Sequence, residues 1–406
     1  MAAYPQCKNL RVAIIYSSII GVFPWQFMFQ HNHLRQTLYR WYSVFLHFWF
    51  SGFIITEYIE LYLQCTADEL KLDEICANIC VVMVFTSTAV RQLVMRFNKM
   101  VNDLIQSIID KEKHNDFLED DKTREIEDKF IKSSDSISNW YAAPVYITLF
   151  QYVLFPMMSK PDIIQIGNTT QALRPLIVDS WFPFDKMEYY WIVYVLQLFD
   201  LLIGALYVTY LHILMFNMYR YPVAQLKKLQ HVLRNFGRYK VEYMRQSNCN
   251  EYISALVVFR ECIKKHKKII QYVDGINECM STYTVFDFLQ SSFQIAALLV
   301  QTSPNDMTFI SFLTVFTFIT TVMIRLFVYY HSGNELIFES VNISMAIWES
   351  NWHEQSPQIK SMMLLVMRRA QKPLCYTIGG FGVMSLQSVI AILKATYSYV
   401  SIIFRQ

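Results

Sequence analysis

The sequence predicts an all-α membrane protein with seven transmembrane helices, the N-terminus cytoplasmic, the C-terminus extracellular, and a helical anchor region on the cytoplasmic side. Three observations carry this expectation. Of 406 residues, 54% are hydrophobic and only 17% charged, whereas soluble domains carry about a quarter charged residues. Gly and Pro are scarce, at 10 and 11, which favours long uninterrupted helices over a β-barrel or a broken-helix transporter. Lys and Arg gather in alternate loops, and the 30 Phe and 26 Tyr suit interfacial belts and apolar cavities.

Residues 1–36 form the cytoplasmic or interfacial N-terminal segment. Positions 12–29 are apolar, but Pro24 interrupts them and His31, His33 and Arg35 follow without a small-residue cleavage site. The segment therefore reads as amphipathic, with Trp25 at the interface, and not as a cleaved signal. A window of about 19 residues then finds spans at 41–62, 75–96, 137–158, 189–216, 272–302, 307–332 and 374–403. Several exceed the ~20 residues that cross a bilayer, so these helices tilt or project beyond it. The fourth is the clearest, and polar residues interrupt the second and fifth. The chain divides accordingly into 37–218 (helices S1–S4), 219–271 (cytoplasmic), 272–332 (S5–S6), 333–373 (cytoplasmic) and 374–406 (S7).

Orientation follows from the basic residues. The N-terminal segment holds Lys8, Arg11, Arg35 and Arg40, seven more lie between Lys99 and Lys132, twelve between Arg220 and Lys268, and four between Lys360 and Lys372. The opposite loops hold only Lys71, Lys160, Arg174 and Lys186, an asymmetry of about sevenfold. A sequon at Asn168-Thr169-Thr170 falls in the expected outer loop and marks Asn168 for glycosylation. A second, at Asn342, would face inward and stay bare.

The inner segments are patterned. Val223, Leu226, Leu229, Val232 and Leu233 recur at helical spacing, with Lys227 and Lys228 on the other face. Asn334 to Trp352 and Ile359 to Arg369 read likewise, separated at Ser356-Pro357. Their apolar faces call for a cytoplasmic bundle that joins subunits, or for burial on the inner leaflet. Asn102–Ser134 alternates Lys with Glu/Asp and reads as a solvated helical extension.

Other classes find little support. A net charge of +3 is too small to suggest nucleic acid. The eight cysteines show no CxxC spacing; Cys65 and Cys76 flank one short loop and are either a disulfide or two ordinary thiols. No clustered His/Glu pattern, Gly-x-Ser-x-Gly or phosphate loop appears, so no enzyme, cofactor or metal is expected. A metabotropic seven-helix receptor would need the reverse orientation, with an acidic-Arg-Tyr triplet after span three and Asn-Pro-x-x-Tyr in span seven. A secondary transporter would need internal repeats.

Charges inside the spans narrow the question. Asp200, Asp287, Arg325 and Lys394 lie within them, where such residues mark an ion path or pair with one another. Pairing of Asp200 or Asp287 with Arg325 is the favoured reading, and His212 reads as a packing residue. The last helix carries Lys394 and the hydroxyl cluster from Thr396 to Tyr399 among aliphatic side chains. It either packs inside the bundle or lines an aqueous pore.

Near the C-terminus, Gly333-Asn334-Glu335-Leu336 leads to Trp352, then Gln371-Lys372-Pro373-Leu374, Ser385-Leu386 and Ile392 to Tyr399. With Trp181-Phe182-Pro183-Phe184-Asp185 before span four, this series resembles the insect odorant-receptor family. The related gustatory receptors end in Thr-Tyr, five hydrophobic positions and Gln-Phe. Here Thr396-Tyr397 is present but Ile403 replaces that glutamine before Phe404, which favours the odorant branch over the gustatory alternative. The chain lacks the extended loop after span four of the co-receptor, so it resembles a ligand-specific, tuning subunit.

The resemblance implies an odorant-binding subunit of a heterotetrameric, ligand-gated, non-selective cation channel, formed with the co-receptor in the plasma membrane of sensory-neuron dendrites. Each subunit would give its seventh helix to a central pore. A gapless alignment to the family from Gly333-Asn334 implies a hydrophobic gate at Ile402, with Tyr399 one turn earlier and Ser398 beside it; a shifted register moves the gate to Val400 or Ile403. An apolar ring excludes hydrated ions until the helices part. The implied odorant site lies in the outer half of the subunit, between helices two to six, with 37–218 as the main ligand-binding part, at Ile79, Met83, Tyr146, Phe150, Tyr190, Tyr194, Gln197, Thr314, Thr317 and Phe318. Aromatic rings with a few hydroxyls suit a small volatile, and each of these residues equally suits plain core packing.

Overall fold

The computed structural model describes residues 7–403, except 31, 68–69, 114–116, 159–161, 167–168 and 302–308. Helix α1 (Arg11–Ile19) is followed by α2 (His33–Cys65), which starts where the Asn32 side chain accepts from the Arg35 amide at 3.1 Å. Such a cap satisfies one of the orphan donors of a first turn. Then come α3 (Leu72–Phe97), α4 (Lys99–Lys113) and α5 (Asp121–Met158). A short antiparallel hairpin of β1 (Asp162–Ile166) and β2 (Thr169–Leu173) leads toward α6 (Tyr190–Arg234). Helix α7 (Phe236–Ser247) precedes the 50-residue α8 (Glu251–Val300), capped by Asn250. The chain closes with α9 (Phe309–Trp348), α10 (Pro357–Ala370) and α11 (Leu386–Ile403).

Among the described residues, α2, α3, α5, α6, α8 and α9 are long and apolar enough to cross a membrane. At 1.5 Å per residue, α6, α8 and α9 far exceed a ~30 Å hydrocarbon core, so their ends project as rods into the anchor. The expected boundaries at 218/219, 271/272 and 332/333 all fall inside these continuous helices. Even Pro222 does not end α6. Helix α6 is the axis of the molecule, packed chiefly against α9 and α5. From Leu211 to Leu226 every side chain on it is buried, as expected of a helix surrounded on all sides.

Two expectations need correction. The seventh span was expected to be helical over 374–403, yet α11 begins only at Leu386. Gly379, Gly380 and Gly382 explain the difference. Gly379 and Gly382 adopt φ of +51° and +154°, conformations that suit glycine and break a helix, and Thr377 pairs with Val383 across the turn. The solvated extension expected over 102–134 is instead packed in part. Val101, Leu104, Ile105, Ile108 and Ile109 form one buried stripe of α4, which meets α8, and burying each such side chain is worth about 1.5–3 kcal/mol. Of the two readings left open for Cys65 and Cys76, the structure has the free thiols.

Candidate functional site

In the half of the bundle opposite the anchor, α5 and α9 meet through polar and aromatic contacts. Thr317 Oγ1 donates to Gln151 Oε1 at 2.6 Å, Thr148 and Thr321 hydroxyls lie 3.5 Å apart, and Tyr152 meets Phe318 edge-on at 6.3 Å. Phe318 also packs on a small cluster of Cys80, Ala297, Leu298 and Val315. Beside it the Gln301 amide donates to Cys80 Sγ at 3.5 Å. Deeper in α8 the Gln290 amide donates to Gln294 Oε1 at 3.3 Å, leaving Gln290 Oε1 and Gln294 Nε2 buried without partners among the described residues. The result is an apolar environment with a few directed groups, the general character of a small-molecule site.

The residues singled out from sequence fall into different surroundings. Thr317 and Phe318 belong to this cluster, and Thr314 lies one turn before Thr317, half-buried. Ile79 and Met83 are half-buried on α3. Tyr190 donates to the Pro175 carbonyl at 3.1 Å and Tyr194 to that of Val153 at 2.6 Å, so both fasten α6 to its neighbours. Gln197 is occupied by the loop before α6, accepting from the Ile177 amide and donating to Val178 O and Ser180 Oγ. Tyr146 bonds Tyr210, which stacks on Tyr16 nearer the anchor, and Phe150 is 62% exposed on the outer face of α5. Sequence reasoning missed Gln151, Tyr152, Cys80, Gln290 and Gln294, although Gln151 and Tyr152 directly follow Phe150. Asn168 lies outside the described residues.

Below this region stands a buried ionic network. Asp287 on α8 lies 3.3 Å from Arg325 of α9 and 3.7 Å from Arg91 of α3. Tyr283 donates to Asp287 at 2.9 Å and accepts from Arg91, while Arg325 donates to Ser291 at 2.7 Å. The expected pairing of Arg325 therefore goes to Asp287; Asp200 instead accepts from the Trp49 indole at 2.6 Å. Arg91 was overlooked in the sequence, though an arginine at position 91 of a span at 75–96 is costly enough to call for a partner. His212 packs as expected, with Nδ1 2.8 Å from the Tyr329 hydroxyl.

The network continues to the base of α11 through rings. Tyr329 meets Tyr219 at 5.7 Å, Tyr219 meets Tyr376 at 4.6 Å, and Tyr376 donates to Tyr219 O at 2.7 Å. Asn277 of α8 holds the turn itself, donating to Cys375 O and accepting from the Thr377 amide, both at 2.9 Å. Helix α11 then packs mainly on α8 and less on α9. Ile392 and Thr396 form its buried side, and Thr396 donates to Ser292 O at 3.1 Å. Ile390, Leu393, Lys394, Tyr397 and Ser398 form an exposed side. Ser398 satisfies its hydroxyl on Lys394 O at 3.1 Å, which costs no outside partner. Tyr399 touches Phe293 at 6.4 Å and Val400 is half-buried. Ile402 and Ile403 belong to the last turn of α11, and their side chains lie outside the described residues.

With this geometry in view, the family model described as 7tm Odorant receptor matches residues 71–397. The chain belongs to the odorant receptor family. It is a multi-pass membrane receptor. Among curated relatives, Odorant receptor 30a of Drosophila melanogaster is 24% identical over 387 residues, covering 94% of this chain and 93% of that one. The odorant receptor coreceptor of Aedes aegypti is 24% identical over 137 residues, covering 34% of this receptor and 29% of the co-receptor. The insect olfactory receptor OR5 from Machilis hrabei, solved in complex with eugenol, superposes with a TM-score of 0.75 over 98% of both chains at 17% identity. At that identity the likeness speaks for the odorant-receptor fold alone.

Proposed function

We propose that this odorant receptor is the odorant-binding subunit of a heterotetrameric, ligand-gated, non-selective cation channel, assembled with the co-receptor subunit in the plasma membrane of sensory-neuron dendrites. The observation that carries the reading is the one-sided packing of α11. Ile392 and Thr396 seal it to its own subunit, while Lys394, Tyr397 and Ser398 are uncovered. A phenol and an ammonium exposed on a membrane helix call for water or other subunits, and a shared central pore supplies both. Ile402 is the proposed gate, with Tyr399 and Ser398 a turn before it and Val400 or Ile403 as the neighbouring registers.

The proposed ligand is a small volatile held mainly by apolar burial near Phe318 and Tyr152, with Thr317 and Gln151 as the directed contacts; Ile79, Met83 and Thr314 are the further candidates. The partners are the co-receptor, the volatile and the lipid bilayer, and nucleic acid has no part. The proposed N-terminus is cytoplasmic, so Asn168 faces the outside and carries a glycan; Asn168→Gln should remove a glycosidase-sensitive mobility shift.

The direct test is voltage clamp of cells expressing this chain with and without the co-receptor, screened against a volatile panel. Odorant-evoked current that requires both subunits supports the reading. Absence of current under every combination, or current that requires G-protein turnover, contradicts it.

A further inference from the structure

Between α4, the anchor end of α6 and the lower part of α8 lies a cleft of about 910 Å³, a volume typical of small-molecule sites. Its floor is apolar and partly aromatic, with Tyr221, Leu229, Ile269 and Tyr272. The charges around it are sorted along its length. Met100 to Lys111 on α4, Tyr221 to Val232 on α6 and Glu278 back to Glu261 on α8 all run from the bundle toward the anchor. At the bundle end stand Asp103, Asp274 and Glu278, and there the cleft is pinched: a Cβ on Gly275 would lie 3.1 Å from Leu104.

At the far end stand Lys111, Lys228, Lys265 and Lys268 with Asp110, Glu119 and Glu261. Two of these acids are engaged by single lysines: Glu119 by Lys228 at 2.9 Å and Glu261 by Lys264, which is not part of the lining, at 3.1 Å. Asp110 accepts from Gln106 at 2.6 Å. Lys111 has no carboxylate of a described residue at ion-pair distance. Burial, then the neighbouring charge of Lys228, pushes its ammonium down to about 7. Lys111 is half-buried in the cleft wall, and a partly desolvated lysine with no carboxylate at ion-pair distance is costly, so an entering anion would relieve that cost.

We propose that this cleft binds a small organic phosphate of the cytosol, the phosphate held by Lys111 and Lys268 and the apolar body resting on Tyr221, Leu229 and Tyr272. Lysines serve phosphate as mobile point charges, and the aromatic floor suits a planar body such as a nucleobase. The acidic, pinched bundle end disfavours an anionic lipid entering from the inner leaflet, which selects the soluble source.

The test uses the full-length receptor in nanodiscs of zwitterionic lipid, with radiolabelled ATP as the probe in equilibrium dialysis. Binding is read on the protein itself, without current, so its outcome is separate from that of the channel reading. Saturable binding of one ATP per chain is expected, weakened at least tenfold in both Lys111→Met and Lys268→Gln and competed by inorganic phosphate. Lys111→Met should melt no lower than wild type, because it removes a half-buried ammonium that has no carboxylate of a described residue at ion-pair distance; Lys268 is exposed, so its variant provides a second folded protein. No saturable binding, binding unchanged in both variants, or displacement of ATP by anionic-lipid vesicles would each overturn the proposal.

Discussion

Asp287 serves two arginines, and that uneven ratio makes a prediction about single residues. Removing one partner of a buried ionic contact costs about 3–5 kcal/mol because the other charge is stranded. Asp287→Asn strands two guanidiniums, Arg325 at 3.3 Å and Arg91 at 3.7 Å. Arg91→Met leaves an even pair and removes an unmatched charge. We expect Asp287→Asn to lower the melting temperature of the purified receptor well below that of Arg91→Met; the reverse order would contradict this account of the network. The sequence made half of this visible. Asp287 and Arg325 stood out as charges within spans, but their pairing depends on the rotation of α8 against α9, which a single sequence does not encode. The same limit explains the odorant residues: Thr317 and Phe318 sit together, whereas Gln197, Tyr190 and Tyr194 at similar depth are occupied by loop and backbone contacts.

At the scale of elements, the turn at 374–385 controls where α11 stands. Gly333 of α9 passes so close to it that an added Cβ would collide with the Met384 carbonyl oxygen. Gly333→Ala must therefore move either α9 or the turn, and overpacking of this kind costs about 1–3 kcal/mol. We expect the variant to reach the membrane but to lose most ligand-evoked current, measured against surface-biotinylated protein. Helix α4 offers a second check. The Lys111 ammonium is lowered from 10.5 to about 7 by burial first, so between those values the unfolded chain binds a proton that the folded chain does not. Stability should thus rise as pH climbs from about 7 toward 10.5, and Lys111→Met should flatten that rise in a thermal melt. Hydropathy located the six helices long and apolar enough to cross a membrane, because each holds an apolar run long enough to outweigh the polar residues that interrupt some of them. It failed at 374–385, where the residues are apolar but three glycines bend the chain, and at α4, where the charge alternation of 111–130 obscured a buried stripe between Val101 and Ile109.

For the whole molecule, the proposed assembly with the co-receptor needs a contact surface, and the anchor end offers one. Phe338 and Leu365 are each 64% exposed on α9 and α10, and apolar faces of this kind outside a bilayer mark contact with other subunits. Leu365→Asp should leave the single chain folded, since the side chain is mostly exposed within it, while reducing co-purification with the co-receptor at least severalfold. The membrane class and the helical anchor were legible from composition and spacing. The family was legible from the series between Gly333 and Tyr399, where several short motifs coincide on the elements that set α11 against α8 and α9.

The channel reading stands or falls on α11 lining the ion path. The decisive measurement is cysteine accessibility on the exposed side of that helix, with Tyr397→Cys and Ser398→Cys co-expressed with the co-receptor and treated with a charged thiol reagent during odorant-evoked current. A pore-lining α11 predicts that modification changes the current or its cation selectivity at these positions, and not at Ile392→Cys, which faces α8. Verified modification of Tyr397→Cys and Ser398→Cys with current and selectivity unchanged would contradict it.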